Sequence, residues 1–223
     1  MKHIFKIVSY VVITLLTFAI TGNSFAAATP FSDIAGIPSK DKITALQEKG
    51  CIDGLGNGVF APEKNVTAAQ GVQFIVKALG MNIDTIRFFK KPEATDYFLK
   101  AENNAWYANS MIIAAANGLE LPKDINPNRN LTQEEFTFYL TEAMETQGKL
   151  PLIKIIPPQI ADQEKISSNY IGAIQRAIVY KITQVDARGN FNPQKNITRA
   201  DAAEQVYNAA AYLKAHALGA SVN

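Results

Sequence analysis

The chain has 223 residues, 48% of them hydrophobic, with 22 Lys+Arg against 20 Asp+Glu. That length supports one or two small domains with a real core, and the near-even charge excludes the basic face or stripe that nucleic-acid binding requires. One cysteine and two histidines exclude an internal disulfide and argue against Cys–His or Ser–His–Asp catalysis and against a zinc site.

Residues 1–28 read as a secretory signal peptide. Lys2 and Lys6 open it, residues 7–20 form a nearly unbroken apolar run, and small residues follow at Ser24, Ala26, Ala27 and Ala28. The run is short for a membrane span of about 20 residues, so cleavage is expected and no membrane contact after it. The segment holds two lysines and no acid, so its removal takes 22 bases to 20 and leaves a formally neutral chain with 20 acids. Cys51 reads as a small buried hydrophobe. His3 leaves with the signal, and His216 lies near the C-terminus.

A unit then occurs three times. Pro62-Glu63-Lys64-Asn65-Val66-Thr67, Pro127-Asn128-Arg129-Asn130-Leu131-Thr132 and Pro193-Gln194-Lys195-Asn196-Ile197-Thr198 share one pattern: Pro, any residue, a base, Asn, a branched aliphatic and Thr. The threonines are 65 (132 − 67) and 66 (198 − 132) residues apart. Such a period is the signature of stacked repeats. The boundaries are 29–80 for repeat one, 81–147 for repeat two with its connector, and 148–215 for repeat three with its connector. A tail of 216–223 follows.

Each Thr is expected to open a helix. Three residues on stand Gln70, Glu135 and Asp201, so Thr67 and Thr132 make capping boxes and Thr198 a shorter version. Val66, Leu131 and Ile197 are hydrophobic staples. Ile75, Leu140 and Val206, with Ala78, Ala143 and Ala209, fall on one face of these helices. A first helix precedes each Pro segment, over 40–49, 106–117 and 170–180. Gly50 and Gly118 close the first two. The turns at 53–58 and 186–190 lack the spaced ligands and closing Glu of a calcium loop, so turn chemistry explains them and no metal is expected. The joins at 80–94 and 148–159 read as non-helical crossings, with room for a brief strand at 152–156. No cofactor is expected. Glu134 and Glu135 are adjacent on a helix, point apart, and read as capping chemistry, so the chain is expected not to be an enzyme.

An aromatic-x-Asp opening (Phe31-Ser32-Asp33), a helix ending in Gly50, an aromatic-x-Pro segment (Phe60-Ala61-Pro62) and a helix starting Ile197-Thr198-Arg199-Ala200-Asp201 together resemble the S-layer homology repeat. Repeat two contributes Trp106, Gly118 and Pro127 to the likeness. The resemblance covers essentially the whole chain after the signal, and repeat three carries it most closely. It implies an all-α fold of three helix–loop–helix repeats in a pseudo-threefold, three-pronged domain. It also implies secretion to the cell wall or cell surface, in association with an S-layer. The ligand it implies is secondary cell wall polysaccharide, held through a pyruvylated or otherwise anionic sugar in an inter-repeat groove. By position the binding residues would be Arg199, supported by Asp201, Asp33, Asp96 and Asp162, with Trp106 as a stacking surface. The family's Arg is replaced by Ala68 in repeat one and Gln133 in repeat two, so at most one groove would bind an anionic sugar in that manner.

Other readings of the same residues stand beside these. Arg199 fits a surface ion pair, Asp33, Asp96 and Asp162 fit helix capping equally well, and Trp106 fits core packing. The rival function is an exported scaffold whose partner is another exported or S-layer protein and whose sugar grooves are vestigial.

Overall fold

The computed structural model describes residues 29–150, 154 and 156–216. The signal segment, most of the strand expected at 152–156 and nearly all of the tail lie outside the described residues. Among the described residues six α-helices are formed: α1 (Lys40–Glu48), α2 (Ala68–Ala78), α3 (Ala108–Ala116), α4 (Gln133–Gly148), α5 (Ile171–Val179) and α6 (Arg199–His216). Short 3₁₀ turns lie at Ala94–Asp96 and Gln163–Lys165. Among the described residues the only β pairing is three isolated bridges, and the fold is all-α.

The helix starts follow the local chemistry of the repeats. Thr67 accepts from the N–H of Gln70 and Thr132 from that of Glu135, while both later side chains reach back to the cap N–H. In α6, Thr198 Oγ1 accepts from Asp201 N at 3.1 Å. Val66, Leu131 and Ile197, just before the caps, are completely buried. α3 starts two residues after Trp106, because Tyr107 is the residue that flanks the helix.

The first helices end in left-handed turns. Gly50 (φ 65°) and Gly118 (φ 82°) supply this conformation without a Cβ penalty. In repeat three Lys181 adopts it instead, at φ 59°. Its N–H donates to Ile178 O at 3.0 Å and the next N–H, of Ile182, to Ala177 O at 2.9 Å. The hydrogen bonds of the motif therefore survive without the glycine.

The three repeats close into a ring. Val66 N donates to Ile197 O at 3.0 Å, Ile197 N to Leu131 O at 3.1 Å, and Leu131 N to Val66 O at 3.0 Å. Each repeat thus donates to one neighbour and accepts from the other around a pseudo-threefold axis. The first two amides of each second helix are satisfied across the same joints. Ala68 and Ala69 donate to Arg129 O and Pro127 O, Gln133 and Glu134 to Lys195 O and Pro193 O, and Arg199 and Ala200 to Lys64 O and Pro62 O. Helix amides that normally lack an intrahelical partner are here the glue between repeats.

The apolar packing is cyclic as well. α2 packs on α3, α4 on α5 and α6 on α1, so each prong joins the second helix of one repeat to the first helix of the next. One core runs through all three repeats, with Ile43, Phe60, Ile75, Met111, Leu140 and Val206 among its members. A smaller cluster of Ile160, Ile166, Ile174 and Phe191 lies within repeat three. Among the described residues no helix is long and apolar enough to cross a membrane.

Candidate functional site: the inter-repeat grooves

The joints between repeats create equivalent slots, each facing the residue after the capping Thr. These residues are Ala68, Gln133 and Arg199, and the structure treats the last two in opposite ways.

Arg199 is inside the protein, 1% exposed. Its Nε donates to Phe60 O at 2.7 Å and one terminal nitrogen donates to Asp53 O at 2.8 Å. The guanidinium carbon sits 4.6 Å from the Phe60 ring centroid and 5.2 Å from that of Phe74. Burial pushes its pKa down to about 10, partly offset by the carboxylates of Asp33 and Asp53. The side chain is therefore charged at neutral pH and locked between aromatic faces, where cation–π attraction grows with desolvation. It is neither a surface residue nor a member of an ion pair. It ties repeat three to the Pro segment and turn of repeat one.

The opening aspartates are tied into the backbone. Asp33 accepts from Phe60 N at 2.9 Å and from Ala61 N at 2.7 Å. Asp162, buried, accepts from Phe191 N at 2.7 Å and Asn192 N at 2.9 Å. Both clips hold a residue at positive φ, Ala61 at 57° and Asn192 at 58°. Burial works to raise the Asp33 pKa, but those backbone hydrogen bonds and the nearby Arg199 charge outweigh it and hold the carboxyl below its ordinary range. Asp96 departs from this pattern: from the 3₁₀ turn it accepts from Glu93 N at 2.9 Å and pairs with Lys90 at 2.7 Å, both in the connector of repeat two. Trp106 is 59% exposed and packs edge-to-face with Tyr107, with 5.5 Å between ring centroids. Core packing does not account for it.

The joint between repeats two and three is open. A cavity of about 580 Å³ lies there, lined by Gln133, Lys42 of α1, the end of α5 with the turn after it, and the Asp201–Asn208 flank of α6. A neighbouring recess of about 210 Å³ shares Gln133 and Asp201 and reaches Phe191. The contrast with the Arg199 joint follows from two positions. Counted from the capping Thr, Gln133 replaces Arg199, and Gln205 stands seven places on where repeat one has Phe74. The slot that Phe74, Arg199 and Phe60 fill in one joint is bounded in the other by Gln205, Gln133 and Phe191. Sequence reasoning singled out Gln133 as a departure and did not pick out Gln205; aligning the three second helices at the seventh place after Thr brings it up.

The side chains of this groove are held in place. Gln205, buried, accepts from Thr137 Oγ1 at 2.9 Å. Asn208 donates to Ile182 O at 3.1 Å, and Lys42 pairs with Glu204 at 2.6 Å across the α1–α6 prong. Asp201 uses its backbone N–H in the Thr198 cap, and its carboxylate belongs to none of the ion pairs of the described residues. Asp201 and Gln133 therefore share one groove. Arg199, Asp33 and Phe60 belong to another joint, and Asp96 and Trp106 lie in the first half of repeat two.

Residues 30–70 and 159–203 match the family model of the S-layer homology domain. These two segments are similar to S-layer homology repeats. The matched segments are the start of repeat one through the first turn of α2, and the start of repeat three through the first turn of α6. The ring hydrogen bonds and the Thr132 cap place the middle repeat of this chain beside them. Similar proteins include the Surface-layer 125 kDa protein of Lysinibacillus sphaericus, 26% identical over 80% of this chain and 14% of its own length. An amylopullulanase of Thermoanaerobacterium thermosulfurigenes is 26% identical over 79% of this chain and 9% of its own. The exoglucanase XynX of Acetivibrio thermocellus is 27% identical over 79% and 16%. The chain spans less than a fifth of each of these relatives, so their enzyme names describe proteins whose length lies mostly outside the S-layer homology match.

Proposed function

We propose that this chain anchors non-covalently to the bacterial cell wall by binding secondary cell wall polysaccharide in a groove between two repeats. The observation that carries the reading is the closed ring of S-layer homology repeats with an open, pre-formed groove at one joint. Its volume falls within the range of roughly 300–1,000 Å³ usual for small-molecule sites. The proposed role is binding without catalysis, at the cell surface, after export. Arg199 acts here as a staple: to meet an anionic ketal it would have to leave two carbonyls and two aromatic faces.

The exposed Phe89, Leu99 and Trp106 in the first half of repeat two favour a second reading, contact with another exported or S-layer protein. Titration calorimetry of the chain with polysaccharide released from sacculi by peptidoglycan digestion separates the two. Saturable heat is expected for wall anchoring, and its absence would leave the protein-contact reading.

A further inference from the structure

We infer that the groove between repeats two and three takes an uncharged sugar unit, recognised through its hydroxyl and amide groups, and not an anionic one. This rests on the anchoring reading and specifies its ligand.

Charge is the first argument. The cavity is lined by Lys42 and Lys181 against Asp201 and Glu204, so its balance is two against two. Lys42 and Glu204 neutralise each other at 2.6 Å. The unpaired carboxylate of Asp201 opposes an incoming anion and suits a bidentate contact with sugar hydroxyls. No guanidinium lines the cavity, because the one that the repeat pattern provides is closed inside the Arg199 joint. The amides of the first helical turn give no help to an anion either. Those of Gln133 and Glu134 are spent on Lys195 O and Pro193 O, and that of Glu135 on the Thr132 hydroxyl.

The second argument is the kind of polar group present. Gln133, Thr183 and Asn208 present neutral donors and acceptors to the cavity, and the buried Gln205 backs them, its amide nitrogen 3.5 Å from the Thr183 hydroxyl. Gln205 and Asn208 are oriented by hydrogen bonds to Thr137 and Ile182. A site built to hydrogen-bond hydroxyl and amide groups discriminates strongly, because an ill-matched ligand leaves buried polar groups without partners. Beside them the partly exposed Ile178 and Val185 line an apolar wall, against which the C–H face of a pyranose ring can lie. Fixed neutral dipoles next to an apolar wall suit an uncharged, hydroxyl- and acetamido-bearing sugar.

The test is titration calorimetry of the full exported chain with three probes: native wall polysaccharide, the same polysaccharide after carbodiimide–borohydride reduction of its carboxylates, and chitobiose as a neutral acetamido disaccharide. The native and reduced polysaccharides should bind with affinities within about threefold of each other, and NaCl between about 0.05 and 0.5 M should change them little, since screening acts on charge pairs. Gln133→Trp, which fills the groove from an already half-exposed position, should weaken binding about tenfold or more. Asp201→Ala should weaken it too, with helical circular dichroism unchanged in both variants. Measurable chitobiose binding that Gln133→Trp abolishes would support the same assignment. Loss of affinity on carboxyl reduction would overturn the uncharged-ligand inference and leave anchoring intact. Retained affinity in a well-folded Gln133→Trp would overturn the groove assignment. No heat with any polysaccharide would overturn anchoring itself.

Discussion

Arg199 shows how a residue's meaning depends on its surroundings. In the sequence it stands at the start of a helix, where a cation opposes the macrodipole. In the fold it is sealed between Phe60 and Phe74 with two carbonyls as acceptors. Removing it leaves Phe60 O and Asp53 O without these donors and opens a void between the rings. Arg199→Ala should therefore cost roughly 3 kcal/mol or more, measured by urea unfolding. Arg199→Lys should recover little, because an ammonium cannot reproduce the planar fork. Full stability of Arg199→Ala would contradict the stapling role. Loss of wall binding in Arg199→Ala thus reports on the ring unless its stability is measured alongside.

The carboxylates that clip the repeats give the pH response at the same scale. Asp33, Asp96 and Asp186 are held below their ordinary value of 3.8. Glu135 is held below 4.5, burial being outweighed by its pairing with Arg129. Groups depressed in this way stabilise the fold fully above their unfolded values and lose that contribution as pH falls through the folded ones. Glu142 runs the other way, raised by burial and by Glu145, and protonating it relieves a strain present at neutral pH. With four groups against one, the melting temperature should drop as pH is lowered below about 4, and Asp33→Asn should flatten that drop. A melting temperature that holds steady down to about pH 2.5 would contradict the assignment.

At the scale of elements, the caps explain why the second helices were legible in the sequence and the details of the first were not. Thr67 and Thr132 announce their helices through side-chain chemistry that acts within three residues, and Thr132→Ala should cost about 1 kcal/mol. The ends of the first helices are decided by a backbone conformation. Gly50 and Gly118 signal it, whereas Lys181 adopts it with no signal, held by the Ile178 and Ile182 hydrogen bonds. Lys181→Gly should therefore raise stability by about 1 kcal/mol, read as a higher urea midpoint, by relieving a left-handed lysine. An unchanged or lower midpoint would show that the turn carries no such strain. Gly54 is the converse case. A Cβ there would meet Phe31 and the carbonyl of Val59, each at 2.7 Å, a demand that comes from the fold of the turn and leaves no trace in local pattern.

At the scale of the molecule, the repeat count and period were visible in six-residue motifs, while the way the repeats interlock was not. Nothing local in α1 says that it packs on α6, or in α3 that it packs on α2. That pairing is imposed by the ring at Val66, Leu131 and Ile197. The groove at Gln133 was hidden for the same reason, since it is made by residues of α1, α4, α5, α6 and the turn after α5. A closed ring also predicts cooperativity: deleting residues 29–66 removes the partner of α6 and two acceptors of its first turn, so α6 should unfold with the rest. A single sharp unfolding transition is expected for the intact chain. Retention of a stable two-repeat core after the deletion would mean that each joint stands alone.

Co-sedimentation of the exported chain with cell wall sacculi, before and after removal of their polysaccharide with hydrofluoric acid, tests the anchoring account most directly. The chain should pellet with intact sacculi and stay in solution with stripped ones. Equal pelleting with both, or with neither, would contradict it.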